Sequence, residues 1–118
     1  MAALSSDDSP VYLRLRGTIA AGILRGDFAA GDQLPSVRAL AAEHGANPLT
    51  VAKAYQSFQE DGYVEVRRGV GMFVLPGAAE RLREAERADF VAQQWPRIRE
   101  RIDLLGLDAS DLLARTPA

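Results

Sequence analysis

The sequence predicts a mainly α-helical fold with one small β-hairpin, on three observations. Apolar residues recur at spacings of three and four through three stretches between Pro10 and Gly62, with only two residues between the second stretch and the third. The rhythm then changes to short apolar runs on either side of an Arg-Arg-Gly turn. A tail rich in Glu, Arg, Ala and Leu finally restores a helical repeat.

The elements follow in order. Residues 1–9 form a polar leader, expected to be extended or disordered, and Pro10 opens a first helix with Tyr12, Leu15, Ile19 and Ile23 on its apolar stripe. Leu13, Ala20 and Leu24 widen that stripe, which predicts a helix packed on two sides. Gly26 and Gly31 bracket its end, and Phe28 between them is expected to plug the core.

A second helix is predicted from Ser36, whose hydroxyl can accept a first-turn amide, through Val37, Leu40 and Ala41 to a stop at Gly45. Asn47 before Pro48 marks a third helix, because an oxygen-bearing cap is followed by a residue with no amide to satisfy. Its core face is Val51, Ala54, Tyr55 and Phe58, and its outer face Leu49, Thr50, Lys53, Gln56 and Ser57. Gly45 and Ala46 leave room only for a tight turn between these helices, the helix-turn-helix arrangement. Tyr63, Val64 and Val66 pair across RRGVG with Met72, Phe73 and Val74 as a hairpin. Residues 10–77 therefore read as a winged helix-turn-helix domain.

In the tail, residues 78–118, Ala88, Val91, Trp95, Ile98, Ile102 and Leu105 follow one another at spacings of 3, 4, 3, 4 and 3, a heptad seam flanked by charge. Two readings of the seam compete. Val91, Trp95, Ile98, Ile102 and Leu105 pair with a second copy in a homodimer, the reading preferred here, or Trp95 and Ile98 pack back on the chain's own winged domain. Pro96 lacks an amide and crowds the carbonyl of Ala92, so a kink or a break is expected there. Gly106 ends the segment, and Asp108 with Asp111 resembles a cap for a last helix over Leu112 and Leu113.

Composition narrows the function. The formal net charge is −2. By segment, the leader has two acids and no base, the winged region seven bases and six acids, and the tail seven bases and eight acids. Affinity for a polyanion must therefore come from where the cations sit, since bulk charge supplies none. No apolar run approaches the roughly 20 residues that span a bilayer, and the N-terminus has acid where a secretory signal carries base, so a cytoplasmic protein without membrane contact is expected. With no cysteine and His44 as the only histidine, thiol redox chemistry and Cys- or His-based metal sites are excluded. No nucleophile has a base beside it, and the glycines at 69 and 71 precede a strand, unlike a phosphate-cradling loop, so no enzyme and no cofactor are expected.

Double-stranded DNA is the partner that uses the most residues. The outer face of the third helix near its N-terminus offers Asn47 and Thr50 for phosphate oxygens, Lys53 for charge, and Leu49 for a thymine methyl. Arg38, one turn into the second helix, can fork onto a phosphate or reach a guanine. Arg67 and Arg68, with Gly69, sit at the hairpin tip where the backbone can approach a phosphate or enter a minor groove.

The pieces GDQLPSVRALA, NPLTVAKAY and GYVEVRRGVGMFV, within a match over roughly residues 10–75, resemble the N-terminal domain of the GntR family of bacterial regulators. The resemblance implies that Arg38, Asn47, Thr50 and Lys53 touch DNA and that Arg68 with Gly69 forms the wing tip. Leu49 departs from the polar or basic residue often found beside that threonine. The tail ending LLGLDASDLLA is similar to the YtrA subfamily, which implies a pair of dimerisation helices. About 40 residues of tail leave room for neither a large effector domain nor a fused enzyme. The function expected is a homodimeric repressor on an inverted-repeat operator. A protein-interaction adaptor built on the same fold is the alternative, favoured by the near-neutral winged region. A small-molecule effector is compatible with this plan, and no residue specifies which one.

Overall fold

The computed structural model describes residues 9–115; nearly all of the polar leader, residues 1–8, lies outside them. Helix α1 spans Pro10–Arg25, and Ser9 Oγ accepts the Tyr12 amide at 3.1 Å to begin it. Helix α2 is Val37–His44, opened by Ser36 Oγ accepting from the Ala39 amide at 3.1 Å and closed by Gly45 in the left-handed region. Helix α3 is Pro48–Glu60, with the Leu49 amide donating to Asn47 Oδ1 at 2.8 Å. Each cap satisfies an amide that the first helical turn leaves without an internal partner.

Strands β1 (Val64–Arg67) and β2 (Gly71–Val74) pair antiparallel, with Val64 opposite Val74 and Arg67 opposite Gly71. One face, Val64 and Val74, enters the core; toward the tip the hairpin leaves the core and Val66 becomes exposed. The segment before α2 adds a third, irregular edge. The Gly31 amide donates to the Val74 carbonyl at 2.8 Å, the Val74 amide to Asp32 at 2.9 Å, and the Leu34 amide to Met72 at 2.8 Å. The sequence shows these residues only as a loop, because the three residues between Gly31 and Pro35 are too few and too polar to display alternation.

The core joins Leu15, Ile19 and Ile23 of α1 to Leu40 of α2, Val51, Tyr55 and Phe58 of α3, and the base of the hairpin. Burying one such side chain contributes about 1.5–3 kcal/mol, so these residues dominate the stability of the unit. Phe28 is half-buried against the cluster, and Gly22 makes room for it, since a Cβ at that position would collide with the ring. One expectation for α1 is corrected. Leu13 is 56% exposed, so the helix packs along one stripe and does not carry Leu13 into a second.

The described residues fall into two compact units that divide between Arg83 and Glu84. Helix α4, Ala78–Asp89, opens inside the first, where Ala78 and Leu82 are buried in the core. Arg81 donates to the Gly62 carbonyl at 2.7 Å and lies 5.4 Å from the Tyr63 ring centre, and Arg83 donates to the Leu24 carbonyl at 3.2 Å.

The second unit holds the rest of α4, a wide π-type turn over Phe90–Gln94, α5 (Trp95–Leu104) and α6 (Ala109–Ala114). Pro96 neither breaks the run nor ends it. The Trp95 amide reaches back five residues to the Phe90 carbonyl while Trp95 keeps helical angles (φ −57°, ψ −43°), so a widened turn absorbs the proline. Asp108 Oδ1 caps α6 by accepting the amides of Ser110 at 2.7 Å and Asp111 at 3.3 Å. A hydrogen bond from the Ser110 side chain and these two amides hold the Asp108 carboxyl below the usual carboxylate range.

Candidate nucleic-acid interface

Capping and burial together decide what α3 presents. Val51, Ala54, Tyr55 and Phe58 are buried, so the ridge carrying Leu49, Lys53 and Gln56 is exposed, with Thr50 half-buried at its edge. Leu49 is 73% exposed, in keeping with the outer position expected of it. Asn47 is split between two duties, since its side-chain oxygen holds the Leu49 amide and leaves its Nδ2 for an outside acceptor. Lys53 lines a polar groove with Tyr12, Gln56, Ser57 and Glu60.

Helix α2 packs on α3 and exposes Arg38 in its first turn. The Tyr55 hydroxyl donates to the Pro35 carbonyl at 2.7 Å, tying α3 to the segment that leads into α2. Burial first, and the Glu43 carboxylate second, push the Tyr55 phenol from 10.0 up to about 12, so it stays a protonated donor.

At the wing, Arg68, Gly69 and Val70 form the turn between β1 and β2, closed by the Val70 amide donating to Arg67 at 2.9 Å. Gly69 has φ +77°, a left-handed conformation that side chains rarely adopt, and the turn exposes its backbone. The Arg68 side chain is exposed and, among the described residues, makes no hydrogen bond or ion pair; the same holds for the Arg38 side chain. Arg67 differs. It ends β1, donates to Glu65 at 3.2 Å and stacks 4.1 Å from the Phe73 ring centre, so it is held along the hairpin and not at its tip. Strand alternation carries that signal, because Glu65 and Arg67 share a face with Phe73 across the ladder. Gln33, which carries no signal along the chain, donates from Nε2 to the Val70 carbonyl at 2.9 Å. An open cleft of about 280 Å³ lies between the wing and the start of α2, lined by Leu34, Val37, Val66 and Met72 among others. A second, of about 260 Å³, lies where α1 ends and α4 begins, against Phe28 and Leu75.

Among the seam residues, Val91 and Leu105 are well exposed, Ile102 is half-buried, and Trp95 and Ile98 are 38% and 39% exposed. No residue after Leu82 reaches full burial among those described, so the second unit has no core of its own. Among the described residues no group of three His, Cys, Asp or Glu could hold a metal ion, and no helix is long and apolar enough to cross a membrane.

A tight-turned helix pair with a capped, outward-facing second helix, backed by a hairpin with a cationic tip, is a winged helix-turn-helix of the kind that reads double-stranded DNA. Residues 11–74 match the family described as "Bacterial regulatory proteins, gntR family", and the chain belongs to that family of DNA-binding transcriptional regulators. It is 37% identical over 78 residues to the HTH-type transcriptional repressor YtrA of Bacillus subtilis, covering 66% of this chain and 60% of that one. It is 38% identical over 69 residues to the uncharacterized HTH-type transcriptional regulator YhcF of the same organism, covering 58% and 57%. The chain thus spans less than two thirds of either relative. Among solved structures, a GntR family transcriptional regulator from Listeria monocytogenes superposes with a TM-score of 0.68 at 28% identity, over 92% of this chain and 93% of that one.

Proposed function

We propose that this regulator is a repressor that binds an inverted-repeat operator as a homodimer, with no catalytic step, and works in the cytoplasm. In this reading α3 enters the major groove by its N-terminal half, where Thr50, Lys53 and the Asn47 amide meet phosphates and Leu49 meets a thymine methyl. Arg38 takes the backbone or a guanine, and Arg68 with Gly69 approaches the neighbouring minor groove. The observation that carries the reading is that the Arg38 and Arg68 side chains, on α2 and the hairpin packed against α3, are exposed and have no partner among the described residues. Repression is carried over from the B. subtilis relative, whose name says repressor. The exposed stripe from Val91 to Leu105 supports the homodimer, since two copies would bury it in each other.

The test is a mobility-shift assay on DNA upstream of the chain's own gene, with Arg38→Ala and Arg68→Ala as variants, followed by footprinting. The expected footprint is two half-sites about 34 Å or a multiple apart. Unchanged affinity in both variants would remove the assigned contacts. A protein-docking adaptor is the second reading, favoured by exposed Leu49, Val66 and Val70. A shift that excess nonspecific DNA abolishes would favour it, because the adaptor has no specific site to hold.

A further inference from the structure

Gln33 belongs to neither the recognition helix nor the hairpin, yet it holds the hairpin's tip. Its Nε2 donates to the Val70 carbonyl at 2.9 Å, next to Gly69. The amide occupies the space beside Gly71, where a Cβ would overlap it, and Gly71 adopts φ +148°, a conformation that disfavours side chains. The pairing therefore has two halves, a long amide on one side and a missing side chain on the other. The backbone of Gln33 bridges to Phe73, and its neighbour Leu34 donates to Met72 at 2.8 Å. The next residues continue the same work: Pro35 accepts from Tyr55 of α3, and Ser36 caps α2 two positions before Arg38.

We infer that Gln33 is a positioning residue, which fixes the Arg68-Gly69 tip relative to α3 and Arg38 before any duplex arrives. The inference rests on the DNA-binding reading above. A two-stranded hairpin is marginally stable by itself, and a free tip must be ordered on binding, at an entropic cost that weakens the complex. Four consecutive residues, 33 to 36, thus set wing, recognition helix and α2 against one another, although the side chain of Gln33 itself need not touch DNA.

Two measurements on the full chain test this. The first is amide hydrogen exchange without DNA, comparing Gln33→Ala and Gln33→Glu, which lack a donor for the Val70 carbonyl, with Gln33→Lys, which keeps one. Exchange of the Val70 amide, which closes the turn by donating to Arg67, is expected to rise on the order of tenfold in the first two and to stay near wild type in the third, with α3 unaffected. The second is a double-mutant cycle by mobility shift. Gln33→Ala is expected to weaken binding about fivefold and to abolish most of the further loss caused by Arg68→Ala. Unchanged exchange at the tip, or strictly additive losses, would overturn the inference. Failure of the wild-type chain to bind DNA would instead count against the DNA-binding reading, and the exchange result alone would then decide whether Gln33 holds the wing.

Discussion

The Tyr55 hydroxyl, on the buried face of α3, donates a 2.7 Å hydrogen bond to the carbonyl of Pro35, the residue before the cap of α2. Core packing and the mutual setting of the two helices of the motif thus meet in one side chain. Tyr55→Phe keeps the ring and removes the bond, leaving the Pro35 carbonyl without that donor, so a loss of about 1 kcal/mol is expected. The pH dependence follows from the phenol being raised from 10.0 to about 12. The folded chain holds this proton more tightly than the unfolded one, so the contribution is complete below pH 10 and is lost as pH rises toward 12. Urea titrations at a series of alkaline pH values should show a steeper fall for wild type than for Tyr55→Phe. Parallel curves would contradict the assignment.

Leu82 ties the start of α4 to the winged unit, with 0% exposure. Leu82→Ala is expected to destabilise the first unit by about 2–5 kcal/mol through lost burial and a residual cavity. Thermal melting followed at the Tyr63 and Phe58 core should register it; a change below 1 kcal/mol would place Leu82 outside the cooperative core.

Trp95 and Ile98 are 38% and 39% exposed and belong to the apolar stripe of the second unit. Ile98→Asp is expected to shift sedimentation from dimer to monomer while the winged unit keeps its unfolding transition, because a charge in an apolar seam is left without a partner. Operator affinity should fall far more than affinity for a half-site. A variant that sediments as wild type would exclude the stripe as the dimer contact.

Salt reports how many cations meet phosphate. Arg38, Lys53 and Arg68 on each protomer predict a log–log slope of about four to eight for the dimer, and Arg68→Ala should lower it by roughly two. Arg67, engaged by Glu65 and Phe73, is expected to change the slope less than Arg68 when replaced by alanine. Equal effects from the two arginines would show that the Glu65 contact does not restrain Arg67.

Local chemistry alone determined a great deal. Ser36, Asn47 and Asp108 could be named as caps, and Gly45 as a stop, because a cap is decided by a few consecutive residues. The recognition ridge was equally legible, since helical periodicity separates Leu49 and Lys53 from Val51 and Phe58 without reference to anything distant. Tertiary structure decided the rest. Periodicity marks the border of a helical stripe but not whether a neighbour covers it, and Leu13 lies on the open side. The shift in composition at Ala78 shows where a helix begins, whereas Ala78 and Leu82 in the core depend on how far the hairpin and α1 extend to meet it. Arg67 and Gln33 are a surface arginine and a loop glutamine when read along the chain. Only a partner 37 residues away, the Val70 carbonyl, gives Gln33 its place, because contacts between distant segments leave no pattern in the order of the residues they join.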